Sequence, residues 1–336
     1  MRGRFWCAAG SIGLTLAACG RPALPAGLSD RDWWALSEHL SEPHRDFRLS
    51  ENLVSNEASY AERVRWLRPS GGVYIGVGPE QNFSYIAALR PDIAFIVDIR
   101  HENRLLHLVY KALFEVSADR SEFVSRLFSR ARPPGTSSSS TVEDLFRAVA
   151  AVPASNQAQN AARVLDRLVT TRAIPLTADD RAWITRTLTQ FERHGPGIQF
   201  WDTTSVDVTA PSYRDLMVAR DVTGVQRSFL ATEDAFRFNK DLHTRNLIVP
   251  VVGDFAGPRA LRRIGDYARR HGALIEAFYA SNVGAYLSRA QTRDFCANLA
   301  VLPAAPRAAF VEGNRIHTIG RELLACGPPP AAGRLH

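Results

Sequence analysis

Short motifs that identify common hydrolases and metalloenzymes are missing from this sequence. Its 336 residues contain no G-x-S-x-G nucleophile elbow, no Walker loop and no H-E-x-x-H helix. The nine histidines are scattered, and none of the four cysteines forms a C-x-x-C pair. These absences argue against serine-hydrolase, P-loop and zinc-protease chemistry, and we predict a protein without a metal cofactor.

Blocks of like charge are also missing. The chain has 41 Lys and Arg against 34 Asp and Glu, but the arginines are spread along it rather than clustered. Nucleic acid is therefore not a favoured partner. With 46% apolar residues, the chain can form one large core, or a core with an inserted subdomain.

The first 19 residues have the layout of an export signal. Arg2 and Arg4 precede an uncharged run, 5–18, that is shorter than the roughly 20 residues of a membrane span. The sequence LAAC at 16–19 resembles a bacterial lipobox, which predicts a lipid on Cys19 after removal of residues 1–18. We expect a periplasm-facing lipoprotein of the cell envelope, and Gly20 favours the outer membrane. A plain secretory signal and an uncleaved anchor are the alternatives.

Residues 71–100 predict the first unit of a Rossmann-like sheet. An apolar strand, 73–77, runs into a turn containing Gly76 and Gly78, a helix follows, and a second apolar strand ends at Asp98. In such a unit the backbone at the glycine turn can approach an anion, and an acid about 20 residues later can bind ribose hydroxyls. Gly76, Gly78 and Asp98 are therefore predicted to bind a nucleotide-like ligand.

Two later apolar strands, 247–252 and 273–279, are each followed by a polar residue. Asp254 follows the first and Asn282 follows the second. Ligands of open α/β sheets bind beyond the carboxyl ends of the strands, so we expect these residues to face Gly76, Gly78 and Asp98 across one pocket. Asp254 and Asn282 are predicted catalytic or substrate-orienting groups. A turn cap before Pro258 is the alternative for Asp254.

The predicted fold class is α/β, a Rossmann-like, mostly parallel sheet with helices on both faces and a helical insertion. The Trp33–Trp34 segment is expected to dock on the domain. The predicted boundaries are 1–18 for the signal peptide, 19–49 for the lipidated tether and docking segment, 50–130 and 211–320 for the two halves of the sheet domain, 131–210 for a Pro/Gly/Ser linker and helical insertion, and 321–336 for a disordered tail.

Several segments resemble an uncharacterised bacterial family with a fold like that of class I S-adenosylmethionine-dependent methyltransferases. They are ENLVSNE at 51–57, GVYIGVGPEQNFSYIAALRP at 72–91, FIVDIR at 95–100, NLIVPVVGDFAGP at 246–258 and FYASNV at 278–283.

The resemblance implies a fold, with S-adenosylmethionine or another nucleotide-like molecule as the ligand. It places Glu80 where many class I members have a third glycine, and Tyr74 where they have an acid. A helix at 50–67 would border the pocket and bring Glu57 to it. Asn103 joins the predicted cofactor-binding group because it closely follows Asp98. The resemblance also puts the end of strand 247–252 beside the reactive end of the cofactor.

The sequence indicates the fold more directly than it indicates the function. S-adenosylmethionine is made in the cytosol, whereas the lipobox would export this domain. We therefore consider three functions: a tethered domain that binds a small molecule or a protein without methyl transfer, an active methyltransferase, and a different enzyme that uses the same crevice. The sequence does not identify a protein partner.

Two further expectations concern particular side chains. Cys296 and Cys326 remain after signal removal in a compartment that permits disulfides, so they could pair, but a buried, unpaired Cys296 is favoured. In the helix predicted at 102–116, Asn103, His107 and Lys111 share one face. We expect that face to be solvated, with Asn103 as the exception.

Overall fold

The computed structural model describes residues 23–43, 52–155, 157–200 and 210–326. The strands are β1 (Val73–Gly76), β2 (Ile93–Asp98), β3 (Ile248–Val252), β4 (Ile275–Ser281), β5 (Ala304–Glu312) and β6 (Arg315–Thr318). The helices are α1 (Asp30–Leu40), α2 (Tyr60–Val64), α3 (Gln81–Leu89), α4 (His101–Val116), α5 (Arg120–Leu127), α6 (Val142–Ala151), α7 (Gln157–Asp166), α8 (Ala178–His194), α9 (Tyr213–Val218), α10 (Glu233–Thr244), α11 (Ala260–Arg270), α12 (Arg289–Ala300) and α13 (Ile319–Ala325).

The six strands form one sheet in the order β3-β2-β1-β4-β5-β6. Strands β1 to β5 are parallel, and β6 pairs antiparallel with β5 as an edge hairpin. All residues of β1, β2 and β3 are buried, as expected for parallel strands covered on both faces. The predicted fold class, a mostly parallel Rossmann-like sheet with helices around it, is confirmed.

Helices α6, α7 and α8 belong to the crossover between β2 and β3. They pack on α4 and α5, outside the sheet. The preceding 131–140 segment is held by Arg120, whose guanidinium donates to the carbonyl oxygens of Ser138, at 3.1 Å, and Ser140.

Helix α1 packs along the outer edge of β3, the last strand on that side of the sheet. Trp33 Nε1 donates to the carbonyl of Ile248 at 3.0 Å, and Ser37 Oγ donates to that of Pro250 at 2.5 Å. One turn later, Ser41 Oγ accepts the N–H of Val252 at 3.0 Å. An edge strand with free backbone groups is prone to pair with other chains, and α1 satisfies these groups instead.

The predicted helix at 50–67 is wrong in extent. Only α2 is helical there, while Leu53 and Val54 are buried in irregular backbone and residues before Asn52 lie outside the described ranges. The N–H of Ser55 donates to the carboxyl of Glu80 instead of entering a helical hydrogen bond.

The C-terminal expectations also need correction. Residues 321–325 belong to α13 and are not disordered, whereas 327–336 lie outside the described residues. Cys296 is not an unpaired core residue but forms a disulfide with Cys326, which joins α12 to the end of α13.

The predicted solvated face of α4 is buried. His107 and Lys111 are each 1% exposed, because the glycine turn and α10 pack against this face, and Asn103, the predicted exception, is 2% exposed. Lys111 pairs with Glu115 at 2.8 Å and donates to the carbonyl of His243. A polar stripe at helical spacing here marks a buried interface between helices.

Candidate functional site

A cleft of about 350 Å³ lies at the carboxyl ends of the central strands. Four strand exits contribute to its lining: 77–79 after β1, 97–100 around the end of β2, 253–255 after β3, and Tyr279, Ser281 and Asn282 at the end of β4. Asn52, Ser55 and Asn56 add polar groups, and Phe200 and Tyr286 add aromatic rings. The volume lies within the range of small-molecule sites, roughly 300–1,000 Å³.

The structure brings four predicted site residues together in this cleft. Gly78, Asp98, Asp254 and Asn282 all line it. Their convergence follows from the parallel strands, which all end at one edge of the sheet.

The other predicted residues lie beside or behind the cleft. Gly76, Glu80, Asn103 and Glu57 are not among its lining residues. The predicted lipidation residue, Cys19, lies outside the described residues.

The sheet order places Asp254 beside Asp98, whereas the sequence predicted that Asp254 and Asn282 together would face Asp98 across the pocket. The strand before Asp254, β3, is the edge strand beside β2, so it is not a neighbour of the central strand β1. Asp98 and Asp254 therefore follow adjacent strands on one side of β1, while Asn282 follows β4 on the other side.

The glycine turn is shaped by Asn82. Its Nδ2 donates to the carbonyls of Val77, Gly78 and Pro79 at 2.9, 3.0 and 2.8 Å. Tyr74 supports this contact by donating its hydroxyl to Asn82 Oδ1 at 2.9 Å. Because the C=O and N–H of a trans peptide point in opposite directions, the N–H of Gly78 points away from Asn82.

Gly76 and Gly78 are required for different structural reasons. A Cβ on Gly76 would lie 1.9 Å from Asn82 Oδ1, so Gly76 makes room for the side chain that shapes the turn. Gly78 has φ +75°, and a Cβ there would meet no atom within 4 Å. Gly78 is thus the glycine that leaves the cleft open.

His107 holds the same turn from below. Its Nε2 lies 2.9 Å from the carbonyl oxygen of Gly78, which can only accept, so Nε2 carries the proton. Burial lowers the pKa of His107 to about 4. The ring is therefore neutral at physiological pH. The sequence predicted a solvated face for His107, whereas this residue, about two turns into α4, is 1% exposed and contacts the glycine turn.

Asp98 is already engaged within the chain. Arg100 donates its backbone N–H and Nε to Asp98 Oδ1, and a terminal nitrogen to Oδ2, each at 3.0 Å. Both residues line the cleft. Because their opposite charges form a bidentate ion pair, they add little net charge to the cleft surface. A ligand hydroxyl would have to use the remaining lone pairs of the carboxylate.

Glu80 is fully buried at the start of α3. Its carboxyl accepts the N–H of Ser55 and its own backbone N–H, and burial raises its pKa to about 7. In a dinucleotide-binding unit the start of this helix would face the phosphates. Here Glu80 itself is the N-cap residue, and its carboxyl accepts from Ser55 rather than from the helix.

The turn after β3 serves a structural purpose as well as lining the cleft. Asp254 Oδ1 accepts the N–H of Ala256 at 2.9 Å, so the predicted turn-cap alternative is observed. The carboxylate of Glu42 accepts the N–H groups of Arg259 and Ala260, at 2.9 and 2.7 Å, at the beginning of α11.

Ser281, which sequence reasoning missed, is held in an uncommon conformation at the end of β4. Its φ is +52°, a left-handed value rare for a residue with a Cβ. Its hydroxyl donates to Glu57, which in turn pairs with the buried Arg63. Glu57 therefore acts behind the cleft wall, by fixing Ser281. Backbone strain of this kind concentrates at functional sites.

Within the described ranges, no three His, Cys, Asp or Glu side chains are placed to hold a metal ion. None of the helices in those ranges has both the length and the apolar character required to cross a bilayer.

Together, the sheet order and the cleft define a Rossmann-like α/β domain with a small-molecule-sized site at its strand ends. The chain belongs to a family described as a domain of unknown function, DUF7790, whose model matches residues 52–315, well over half of the chain. No curated protein matches the sequence. The matched range includes all five parallel strands and every strand exit that lines the cleft.

Proposed function

We propose that this protein binds a small, water-soluble molecule in the cleft, as a lipoprotein anchored through Cys19 in the bacterial cell envelope. The observation that carries the binding proposal is the convergence of Gly78, Asp98, Asp254 and Asn282 at one edge of the sheet. The fold alone does not define a reaction.

The polar groups of the site favour an unphosphorylated ligand. Glu80 occupies the start of α3, Glu42 that of α11, and the Asp98 carboxylate accepts the N–H of Arg100 before α4. Among the described lining residues, Arg100 is the only Lys or Arg, and it pairs with Asp98. Phosphate groups would therefore find little support, whereas amides, hydroxyls and carboxylates suit a ligand with hydroxyl or amino groups.

The disulfide supports the envelope location. Structural disulfides are common in exported proteins and rare in the bacterial cytosol. The Cys296–Cys326 bond therefore agrees with export through the predicted signal at 1–18.

Native mass spectrometry of the protein purified from its host membrane tests both parts of the proposal. We expect a lipid on Cys19 and a retained ligand of a few hundred daltons that is lost in Asn282→Ala. Asn282 is exposed at the cleft, so its truncation should leave the fold intact. Gln159→Ala, exposed on α7 and not among the lining residues of the cleft, is the matched control. A ligand retained equally by all three proteins would show that it binds elsewhere.

An active methyltransferase is the second candidate, favoured by one observation. Asn282 follows β4, a direct neighbour of β1, and Asp98 follows the other neighbour, β2. An acid and an amide thus flank the glycine turn. Titration with S-adenosylmethionine and S-adenosylhomocysteine distinguishes the candidates: if neither binds at millimolar concentration, the methyltransferase proposal fails and the binding proposal stands.

A further inference from the structure

The chain enters the domain at the end of the sheet opposite the cleft. The N–H of Leu28 donates to the carbonyl of Arg245 at 2.9 Å, and Asn246 Nδ2 donates to the carbonyl of Leu28 at 2.9 Å. Arg245 and Asn246 immediately precede β3. Arg245 also donates a guanidinium N–H to the carbonyl of Ala26 at 2.8 Å, so residues 26–28 lie at the amino end of the parallel strands.

Helix α1 fixes the separation between this entry point and the cleft. Its contacts run from Ile248, at the amino end of β3, to Val252, at the carboxyl end. Hydrogen bonds to β2 extend the paired backbone from Leu247 to Gly253, and these six steps of about 3.3 Å span about 20 Å. The cleft rim is thus about 20 Å or more from the entry point.

The tether outside the described residues is short. Three residues, 20–22, separate Cys19 from Ala23, the first described residue, and the four steps between them can span at most about 14 Å. An inverted domain, with its cleft against the bilayer, would need a tether longer than the height of the sheet. A tether of three residues is too short for this.

We infer that the amino-end face of the sheet lies against the bilayer surface and that the cleft opens toward the aqueous compartment. This inference rests on the lipidation of Cys19 in the proposed function. It follows that the ligand reaches the site from water and not from within the lipid layer.

The chemistry of the amino-end face fits a phospholipid surface. Leu274, just before β4, is 42% exposed, and Val301, just before β5, is 36% exposed. The last turn of α11 adds Arg269 and Arg270 beside them, and Arg269 pairs with Asp266. Apolar side chains next to arginines suit the boundary between headgroups and water.

Site-specific fluorescence quenching tests this orientation on the full-length, lipidated protein in phospholipid vesicles. After processing, the only cysteines beyond the lipidated Cys19 are in the disulfide, so a single new thiol can be labelled. Leu274→Cys places the label at the amino end of β4, and Arg315→Cys places it beyond the carboxyl end of β5. With a nitroxide on the lipid headgroup, we expect quenching to be several-fold stronger at position 274.

A longer tether provides the control. Inserting about 20 Gly and Ser residues after Gly20 gives a flexible chain of about 25 Å, enough to let the domain turn over. We expect the difference between the two labels to shrink in this variant. If the difference in quenching between the two labels stays the same, the short tether is not what orients the domain.

The outcomes separate this inference from the proposed function. Equal quenching at both positions, or stronger quenching at position 315, in a protein whose intact mass shows the lipid, overturns the orientation alone. A mass showing an unprocessed or unlipidated chain overturns both the anchor and the orientation.

Discussion

The indole nitrogen of Trp33 donates a hydrogen bond to the carbonyl oxygen of Ile248 over 3.0 Å, tying the first helix to an edge strand 215 residues later. Ser37 and Ser41 repeat the contact at Pro250 and Val252. Four helical residues advance about 6.0 Å and two strand residues about 6.6 Å, so each helical turn meets the next outward-facing backbone group. The tether segment is thus part of the sheet's edge.

We expect Ser37→Ala to destabilise the protein by about 1–3 kcal/mol, because it leaves the buried carbonyl of Pro250 without its donor. Trp33→Phe should act similarly by removing the Nε1 donor. Trp34→Phe is the matched control, since Trp34 contacts Arg104 through its ring face, which phenylalanine retains. Urea unfolding measures all three, and equal stabilities would contradict the role of α1 as an edge cover.

Strands β1, β2 and β3 could be predicted from sequence because they are continuous apolar runs that end in, or are followed by, glycine or aspartate. Side-chain roles were harder to predict wherever they depend on a partner distant in sequence. The burial of Lys111 depends on α10, more than 100 residues later, and the conformation of Ser281 depends on Glu57. The spacing of residues within one helix or strand carries no information on such contacts. The polar face of α4 is therefore wrongly predicted to be solvated, and Ser281 is absent from the predicted site residues.

Glu80 should make the stability of the protein depend on pH. Burial raises its pKa from 4.5 to about 7, so the folded protein binds this proton more tightly than the unfolded chain. Its stabilising contribution is therefore complete below pH 4.5 and is lost as the pH rises through 7, by about 3 kcal/mol in total. Glu80→Gln should remove this loss, since its amide oxygen can still accept the N–H of Ser55.

The measurement is the difference in unfolding free energy between wild type and Glu80→Gln from pH 5 to 8. A difference is needed because burial lowers the pKa of His107 to about 4, which destabilises the protein as the pH falls from 6.5 through 4. That contribution is common to both proteins and cancels. A difference that stays constant over this range would show that Glu80 titrates normally.

The two glycines of the turn should respond differently to alanine. Gly76→Ala places a methyl group against Asn82 Oδ1, and we expect a loss of about 2–4 kcal/mol in stability. Gly78→Ala meets open space but has φ +75°, so its cost should be about 1 kcal/mol. Only Gly78→Ala should yield a well-folded protein with weakened ligand retention. If Gly78→Ala retained ligand fully, the glycine turn would not contact it.

The disulfide should contribute to stability and report the compartment. Cys296 and Cys326 are 30 residues apart, and closing a loop of that size stabilises a protein by about 3–4 kcal/mol in the chain-entropy model. We expect the Cys296→Ser/Cys326→Ser double variant to lose this amount of stability. Wild type in a thiol reductant should be equally destabilised, whereas the reductant should leave the double variant unchanged.

In cells, these cysteines should resist alkylation in the full-length protein but react when residues 2–19 are deleted, because the cytosol keeps thiols reduced. Equal alkylation of both forms would argue that the domain is not exported.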